Sequence, residues 1–174
     1  LPTRKELQDF NAKLIANRQV PEQVISILKE LPTVRTHPMA SLRTAVSIMG
    51  MLDERSEETT VEAEREASIK LIAQMPTLAA AIARIRAGKD PIKPNNALSH
   101  SGNYLYMMTG SKPSELHERV MDISLILHAD HGQNASTFTT MVVNSSLSDM
   151  YSSVVAGIGS LKGPLHGGAN EKVL

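Results

Sequence analysis

Apolar residues recur along most of this chain at the three- and four-residue intervals of an amphipathic helix, and no stretch alternates with the period of a strand. The pattern therefore predicts an all-α protein. The predicted helices cover about 3–17, 21–31, 39–53, 61–87, 99–110, 114–128, 136–147 and 149–161, and a further helix begins near the Gly-Gly pair at 167–168.

Local signals refine these helices. Thr3 lies three residues before Glu6, the spacing of a capping box, while Pro21 suits the first position of the second helix and Ser136 could cap the seventh. The small apolar segment 78–83 predicts burial, either between neighbouring helices or against another subunit. On the sixth helix we expect one inward face, formed by Leu116, Val120, Ile123, Ile126 and Leu127.

Composition limits the possible classes of protein. A chain of 174 residues predicts one domain, and its 18 basic and 18 acidic side chains cancel, so we expect neither a nucleic-acid nor a membrane partner. The absence of cysteine favours the cytoplasm. The chain starts at Leu1 and stops just after a helix begins, so we expect a piece of a longer protein, truncated at both ends.

The candidate chemistry lies in two histidine segments, 128–134 (HADHGQN) and 163–170 (GPLHGGAN). His166 stands between Gly-Pro and Gly-Gly, an arrangement that presents an imidazole at a bend rather than in a packed core. A following helix N-terminus would depress its pKa and keep it neutral. A neutral imidazole can donate a hydrogen bond to a carbonyl oxygen that gains negative charge, as an enolising enzyme requires. The alternative is a histidine simply buried in a glycine-rich bend.

The other histidines have weaker claims. We interpret His128 as a helix-end residue bonded to the backbone, and His131 as facing a ligand. A metal site built from His128, His131 and His166 is an alternative, but no second carboxylate-rich cluster supports it, and we expect no metal. His37, His100 and His117 are interpreted as capping or surface residues without chemistry.

Three segments carry a resemblance to a known family. Residues 128–137 (HADHGQNAST), 147–151 (LSDMY) and 163–171 (GPLHGGANE) look like citrate synthase of the prokaryotic type, in matching order and spacing, and earlier segments agree. The resemblance covers essentially the whole chain. It implies a dimeric, all-α enzyme that condenses acetyl-CoA with oxaloacetate and then hydrolyses the citryl thioester, with acetyl-CoA as co-substrate and no cofactor.

The resemblance also implies roles for individual residues. His166 matches the histidine that hydrogen-bonds the thioester carbonyl and stabilises the enol, His131 matches the histidine that binds oxaloacetate, and Asn134 lines the same pocket. Leu165 is assigned to acyl-CoA binding. The family commonly has Glu where this chain has Gly132, which we count as a minor departure because that residue is not catalytic.

Length is the larger departure from the family. A second catalytic histidine, the aspartate base and the carboxylate-binding arginines have no match in residues 1–174. We therefore expect a multi-helical part of the large domain with the small domain largely absent, and no meaningful synthase activity from this polypeptide alone, since an enol stabiliser needs its base.

Two further readings remain open at the level of sequence. One is 2-methylcitrate synthase, which accepts propionyl-CoA, because a pocket distinguishes one added methyl group by only about 1–3 kcal/mol. The other is a non-catalytic helical module that dimerises through the segment around Leu78 to Ala83. Retention of His131 and His166 in intact motifs argues against the module.

Overall fold

The computed structural model describes residues 1–129 and 132–170 of the chain. Within these residues the backbone forms α-helices and turns and no strand, as the apolar periodicity predicts. The helices are α1 (Arg4–Ala16), α2 (Glu22–Glu30), α3 (Pro38–Leu52), α4 (Val61–Arg86), α5 (His100–Thr109), α6 (Glu115–Ala129), α7 (Ala135–Asn144), α8 (Met150–Leu161) and α9 (Gly167–Asn170).

Side-chain caps begin most of these helices. The predicted capping box of α1 is confirmed, since the Thr3 hydroxyl accepts from the Glu6 amide and the Glu6 carboxylate accepts from the Thr3 amide. Two predicted starts are wrong by one or two residues. Pro21 is the N-cap of α2 rather than its first helical residue. The cap of α7 is Asn134 rather than Ser136, because the side-chain Oδ1 atom of Asn134 accepts from the Thr137 amide.

The core lies where α2, α3, α4 and α8 meet. Leu28, Val46 and Leu78 are fully buried there, and Tyr151 from the start of α8 is 3% exposed. The predicted burial of the small apolar segment of α4 is confirmed: its most buried residues are Leu78, Ala80, Ala81 and Ile82. Helices of this same chain cover them, so they do not form the free dimerisation surface that the helical-module hypothesis requires.

The expected inward face of α6 is wrong. Its five apolar residues are 47–69% exposed, and α6 packs mainly against α5. Helical spacing places such residues on one stripe but does not say whether the same chain covers that stripe. Phe138, Met141 and Val142 of α7 are exposed as well, at 52–57%.

Helices α7 and α8 pack closely against each other, and α8 also packs against α3 of the core. The turn 162–166 follows α8 and leads back towards α7. Because α8 is anchored in the core, it holds this turn in place. None of the helices in the described part of the chain is both long and apolar enough to span a membrane.

Candidate active site

A cleft of about 760 Å³ opens between α7, α8 and the turn that carries His166. It combines polar groups from the start of α7 with apolar side chains from both helices. Its lining residues are His128, Asn134, Ser136, Thr137, Thr140, Met141, Val154, Gly157, Ile158, Leu161, Leu165, His166 and Gly167. The structure thus brings together three of the four predicted site residues, Asn134, Leu165 and His166.

Glycines allow the chain to turn tightly before and after His166. The carbonyl of Gly163 accepts hydrogen bonds from the amides of His166 and Gly168, at 3.0 and 3.1 Å. A Cβ atom on Gly167 would meet the carbonyl oxygen of Leu161 and lie 2.7 Å from its Cδ1 atom, closer than real Cβ atoms approach other groups. Only glycine fits position 167 without a backbone shift, which explains the glycine pair after the histidine.

His166 is half-buried and fixed by one side-chain hydrogen bond. Its Nε2 atom lies 2.7 Å from the hydroxyl oxygen of Ser136 on the first turn of α7. Its Nδ1 atom makes no hydrogen bond to the part of the chain that the structure describes. If the Ser136 hydroxyl donates to Nε2, the ring proton sits on Nδ1 and remains available to a ligand.

Asn134 is half-exposed at the beginning of α7 and has two functions available to its side chain. Its Oδ1 atom accepts from the Thr137 amide at 2.8 Å and caps the helix. Its Nδ2 amide makes no hydrogen bond to the described residues. Two N–H donors are therefore free to bind an oxygen in the cleft.

Asp130 and His131 lie outside the described residues, so the predicted ligand-facing role of His131 stays a prediction. The interpretation of His128 as a helix-end residue is confirmed, because its Nδ1 atom lies 2.7 Å from the carbonyl oxygen of Ser124, one turn earlier. His128 is exposed and also lines the cleft.

The cleft is apolar on one side, and its lining in the described residues contains no Asp or Glu. Met141, Val154 and Ile158 form an apolar wall of the cleft, and Leu165 is 98% exposed. No arginine or lysine occurs among the lining residues of the described chain. Among the same described residues, no three His, Cys, Asp or Glu side chains come close enough to hold a metal ion. The metal alternative includes His131, which lies outside these residues, so it stays a hypothesis.

A partly buried polar network anchors the helix that leads to the site. The Asp53 carboxylate accepts from the Tyr151 hydroxyl at 2.6 Å and from the Lys70 ammonium at 2.8 Å, which joins α3, α4 and α8. Burial by itself would raise the pKa of Asp53, but these hydrogen bonds outweigh it and hold the pKa below its usual value. Burial and the hydrogen bond to Asp53 raise the pKa of Tyr151 well above normal.

Three residues of the site were missed by sequence reasoning. Ser136 was interpreted only as a cap, and Thr140 and Gly157 were not singled out. A weak signal exists for the first two, since Ser136 and Thr140 are four residues apart and so share one helix face. Nothing local could indicate that this face meets Gly157 and His166.

Known proteins resemble this chain along its whole length. The family model described as citrate synthase, C-terminal domain, matches residues 1–174. A citrate synthase from Deinococcus radiodurans is 53% identical over 174 residues, which are 100% of this chain and 46% of that protein. A 2-methylcitrate synthase from Mycobacterium tuberculosis is 42% identical, over 100% of this chain and 44% of that protein.

Solved structures show the same likeness. The ternary complex of carboxymethyl coenzyme A and oxaloacetate with citrate synthase from Thermoplasma acidophilum has a TM-score of 0.92 at 30% identity, over 99% of this chain and 45% of that one. The chain spans about half the length of the curated relatives it matches. With a family model that matches every residue and a solved relative of nearly the same fold, the chain belongs to the citrate synthase family.

Proposed function

We propose that the protein to which this chain belongs is a citrate synthase, an acyltransferase that condenses acetyl-CoA with oxaloacetate to give citrate and CoA. The supporting observation is the arrangement of His166, whose Nε2 atom is engaged by Ser136 while its Nδ1 atom is free in a cleft of suitable size. Membership of the citrate synthase family supports the same proposal, and the geometry of the site accounts for the chemistry.

Enol formation is the step that His166 would serve. A carboxylate base from another part of the protein removes a proton from the acetyl methyl group, and the electron pair moves onto the thioester carbonyl oxygen. The Nδ1–H of His166 donates a hydrogen bond to that oxygen as negative charge develops on it. An uncharged imidazole suits this role, because its proton is shared with the enol oxygen rather than carried as a full positive charge.

Carbon–carbon bond formation follows. The enol carbon attacks the ketone carbon of oxaloacetate, and the ketone oxygen takes up a proton to become the hydroxyl of citryl-CoA. Water then attacks the thioester carbonyl, and the CoA thiol leaves with a proton. We propose that His131 and Asn134 bind oxaloacetate, with the free Asn134 amide as a donor to an oxygen of that substrate. The two carboxylates of oxaloacetate need basic side chains in addition to the residues that line the cleft in the described chain.

Acyl-CoA would enter past Leu165. This side chain is 98% exposed, directly before His166, so it can contact the co-substrate on the path to the imidazole. We propose no other cofactor. We further propose that residues 1–174 form part of the large domain of the enzyme.

A second candidate is 2-methylcitrate synthase, with propionyl-CoA as the acyl donor. It is favoured by the apolar wall of Met141, Val154 and Ile158, which can accept a further methyl group, and by a relative of that name at 42% identity. Discrimination of one methyl group is worth about 1–3 kcal/mol, so a single enzyme can use both donors.

We also propose that the protein is a cytoplasmic homodimer that associates through the exposed apolar side chains of α6 and α7. The last two turns of α6, residues 123–129, carry no acidic side chain, lysine or arginine. A two-fold interface brings the same patch of both copies together, so a charged side chain near the symmetry axis would lie close to its own copy and be repelled by it. An uncharged apolar surface avoids that repulsion.

The test uses the natural full-length protein and follows release of the CoA thiol from acetyl-CoA or propionyl-CoA in the presence of oxaloacetate. We expect turnover with acetyl-CoA, and a loss of about 10²–10³-fold in kcat for His166→Ala, as when an oxyanion donor is removed. The exposed His117 on α6 provides the matched control, His117→Ala, which should keep wild-type rates. Absence of turnover with either donor, or an active His166→Ala variant, would refute the proposal.

A further inference from the structure

Helices α7 and α8 are in close contact at Thr140 and Gly157. Gly157 is buried in the middle of α8 and lies against the side chain of Thr140. A Cβ atom on Gly157 would come well under 3 Å from the Thr140 hydroxyl oxygen, a distance that real Cβ atoms essentially never show. The two residues therefore fit each other by size, with the larger on α7 and the smaller on α8.

This contact lies one helical turn from the His166 hydrogen bond. Thr140 follows Ser136 by four residues, so both project from the same face of α7. On α8, Gly157 precedes Leu161 by one turn, and Leu161 supports the turn that carries His166. The carbonyl oxygen of Ser136 itself lies 3.4 Å from the position that a Cβ of Gly157 would occupy.

We infer that Thr140 and Gly157 are positioning residues, which set the separation of α7 and α8 and thereby hold Ser136 at hydrogen-bond distance from His166. A hydrogen bond of 2.7 Å is lost when its atoms separate beyond about 3.5 Å, so a displacement of about 1 Å at this contact is enough to break it. Neither residue needs to touch the substrate for this effect.

Gly159 shows that glycine at position 157 is not explained by its place in α8 alone. It lies two residues further along the same helix, and a Cβ atom there would meet nothing closer than Arg43, at 4.0 Å. Alanine is the better helix former at both positions. Of these two positions, only 157 has the neighbouring helix in the way, so alanine should disturb the site at position 157 and leave it intact at position 159.

Only the kinetic readout of this inference rests on the proposed condensation, so the experiment also includes a structural measurement. In the natural full-length protein we would compare Gly157→Ala, Thr140→Ala, the double variant and Gly159→Ala. For each variant we would measure kcat and KM and determine the Ser136 Oγ to His166 Nε2 distance by crystallography. The double variant removes the obstructing hydroxyl and leaves the next atom of residue 140, its Cβ, at 3.8 Å from the new methyl group.

We expect Gly157→Ala to lengthen that distance beyond hydrogen bonding and to lower kcat by about tenfold or more, with KM for oxaloacetate changed by less than about twofold. The double variant should restore both the distance and the rate, and Gly159→Ala should match the wild type. In a Ser136→Ala background the Gly157→Ala loss should disappear, because the bond is already absent; a purely structural role would leave the loss in place.

The inference is overturned if Gly157→Ala keeps the wild-type distance and rate, or if Thr140→Ala does not rescue it. If Gly157→Ala alone misfolds, the double variant still decides the question, since it must then recover both folding and rate. If the wild type shows no condensation, the proposed function fails, while the crystallographic distances still decide the inference about spacing.

Discussion

The hydroxyl oxygen of Ser136 lies 2.7 Å from Nε2 of His166, although 30 residues separate the two along the chain. This contact ties the start of α7 to the turn after α8. It orients the imidazole and leaves the opposite ring nitrogen for a ligand.

Replacement of Ser136 by alanine tests the value of this contact. We expect kcat to fall about tenfold, the equivalent of one hydrogen bond worth about 1.4 kcal/mol, while KM changes little because the hydroxyl does not bind substrate in our proposal. Ser145→Ala is the matched control, since Ser145 is exposed at the other end of α7 and bonds only to the backbone. Equal rates for the two variants would contradict the role of Ser136.

Gly167→Ala tests the tight turn. The new methyl group would press on the carbonyl oxygen of Leu161, and backbone cannot move aside as a flexible side chain does. We expect a displaced His166, a kcat lower by about 100-fold and a lower thermal midpoint. Gly159→Ala has open space and should instead raise the unfolding free energy by about 0.5–1 kcal/mol. Calorimetry and steady-state rates on both variants check this, and a Gly167→Ala variant that is as active as wild type would exclude the proposed strain.

Tyr151→Phe tests the polar network around Asp53. The lowered pKa of Asp53 means that its stabilisation is complete above the unfolded-state pKa of about 3.9 and is lost as pH falls through the lower pKa of the folded state. We therefore expect Tyr151→Phe to cost about 1–2 kcal/mol at neutral pH, and less in acid where Asp53 is protonated in both variants.

Urea unfolding at neutral pH and in acid measures that difference. Tyr106→Phe is the control, because the Tyr106 hydroxyl makes no hydrogen bond to the described residues. Equal stability losses for the two tyrosine variants at neutral pH, or a Tyr151→Phe loss that grows in acid, would show that the network does not stabilise the fold in this way.

Ile126→Glu tests the proposed dimer surface. Ile126 is 66% exposed on α6, so a carboxylate there should not disturb the isolated fold, but an isologous dimer would bury two of them. We expect the dimer dissociation constant to rise by at least about 100-fold, measured by sedimentation. Val61→Glu, at an 85% exposed position at the start of α4, should leave the dimer intact. An unchanged mass for Ile126→Glu would place the interface elsewhere.

Much of the fold could be predicted from the sequence, because helix formation depends on neighbours three and four residues apart. The start of α1 at the Thr3–Glu6 box, the end of α5 at Gly110 with its positive φ of 86°, and the burial of segment 78–83 all follow from such local signals. The predicted bend around His166 is also found in the structure.

The sequence by itself determined which chemistry is present: a glycine-held imidazole, a polar segment that contains Asn134, and an all-helical scaffold. Tertiary structure decided which groups meet. Ser136 on His166, Tyr151 on Asp53 and Thr140 on Gly157 join residues on different elements, and the exposure of α6 depends on what packs against it. Such contacts arise from the way whole helices pack, and the spacing of residues within one helix carries no record of its neighbour.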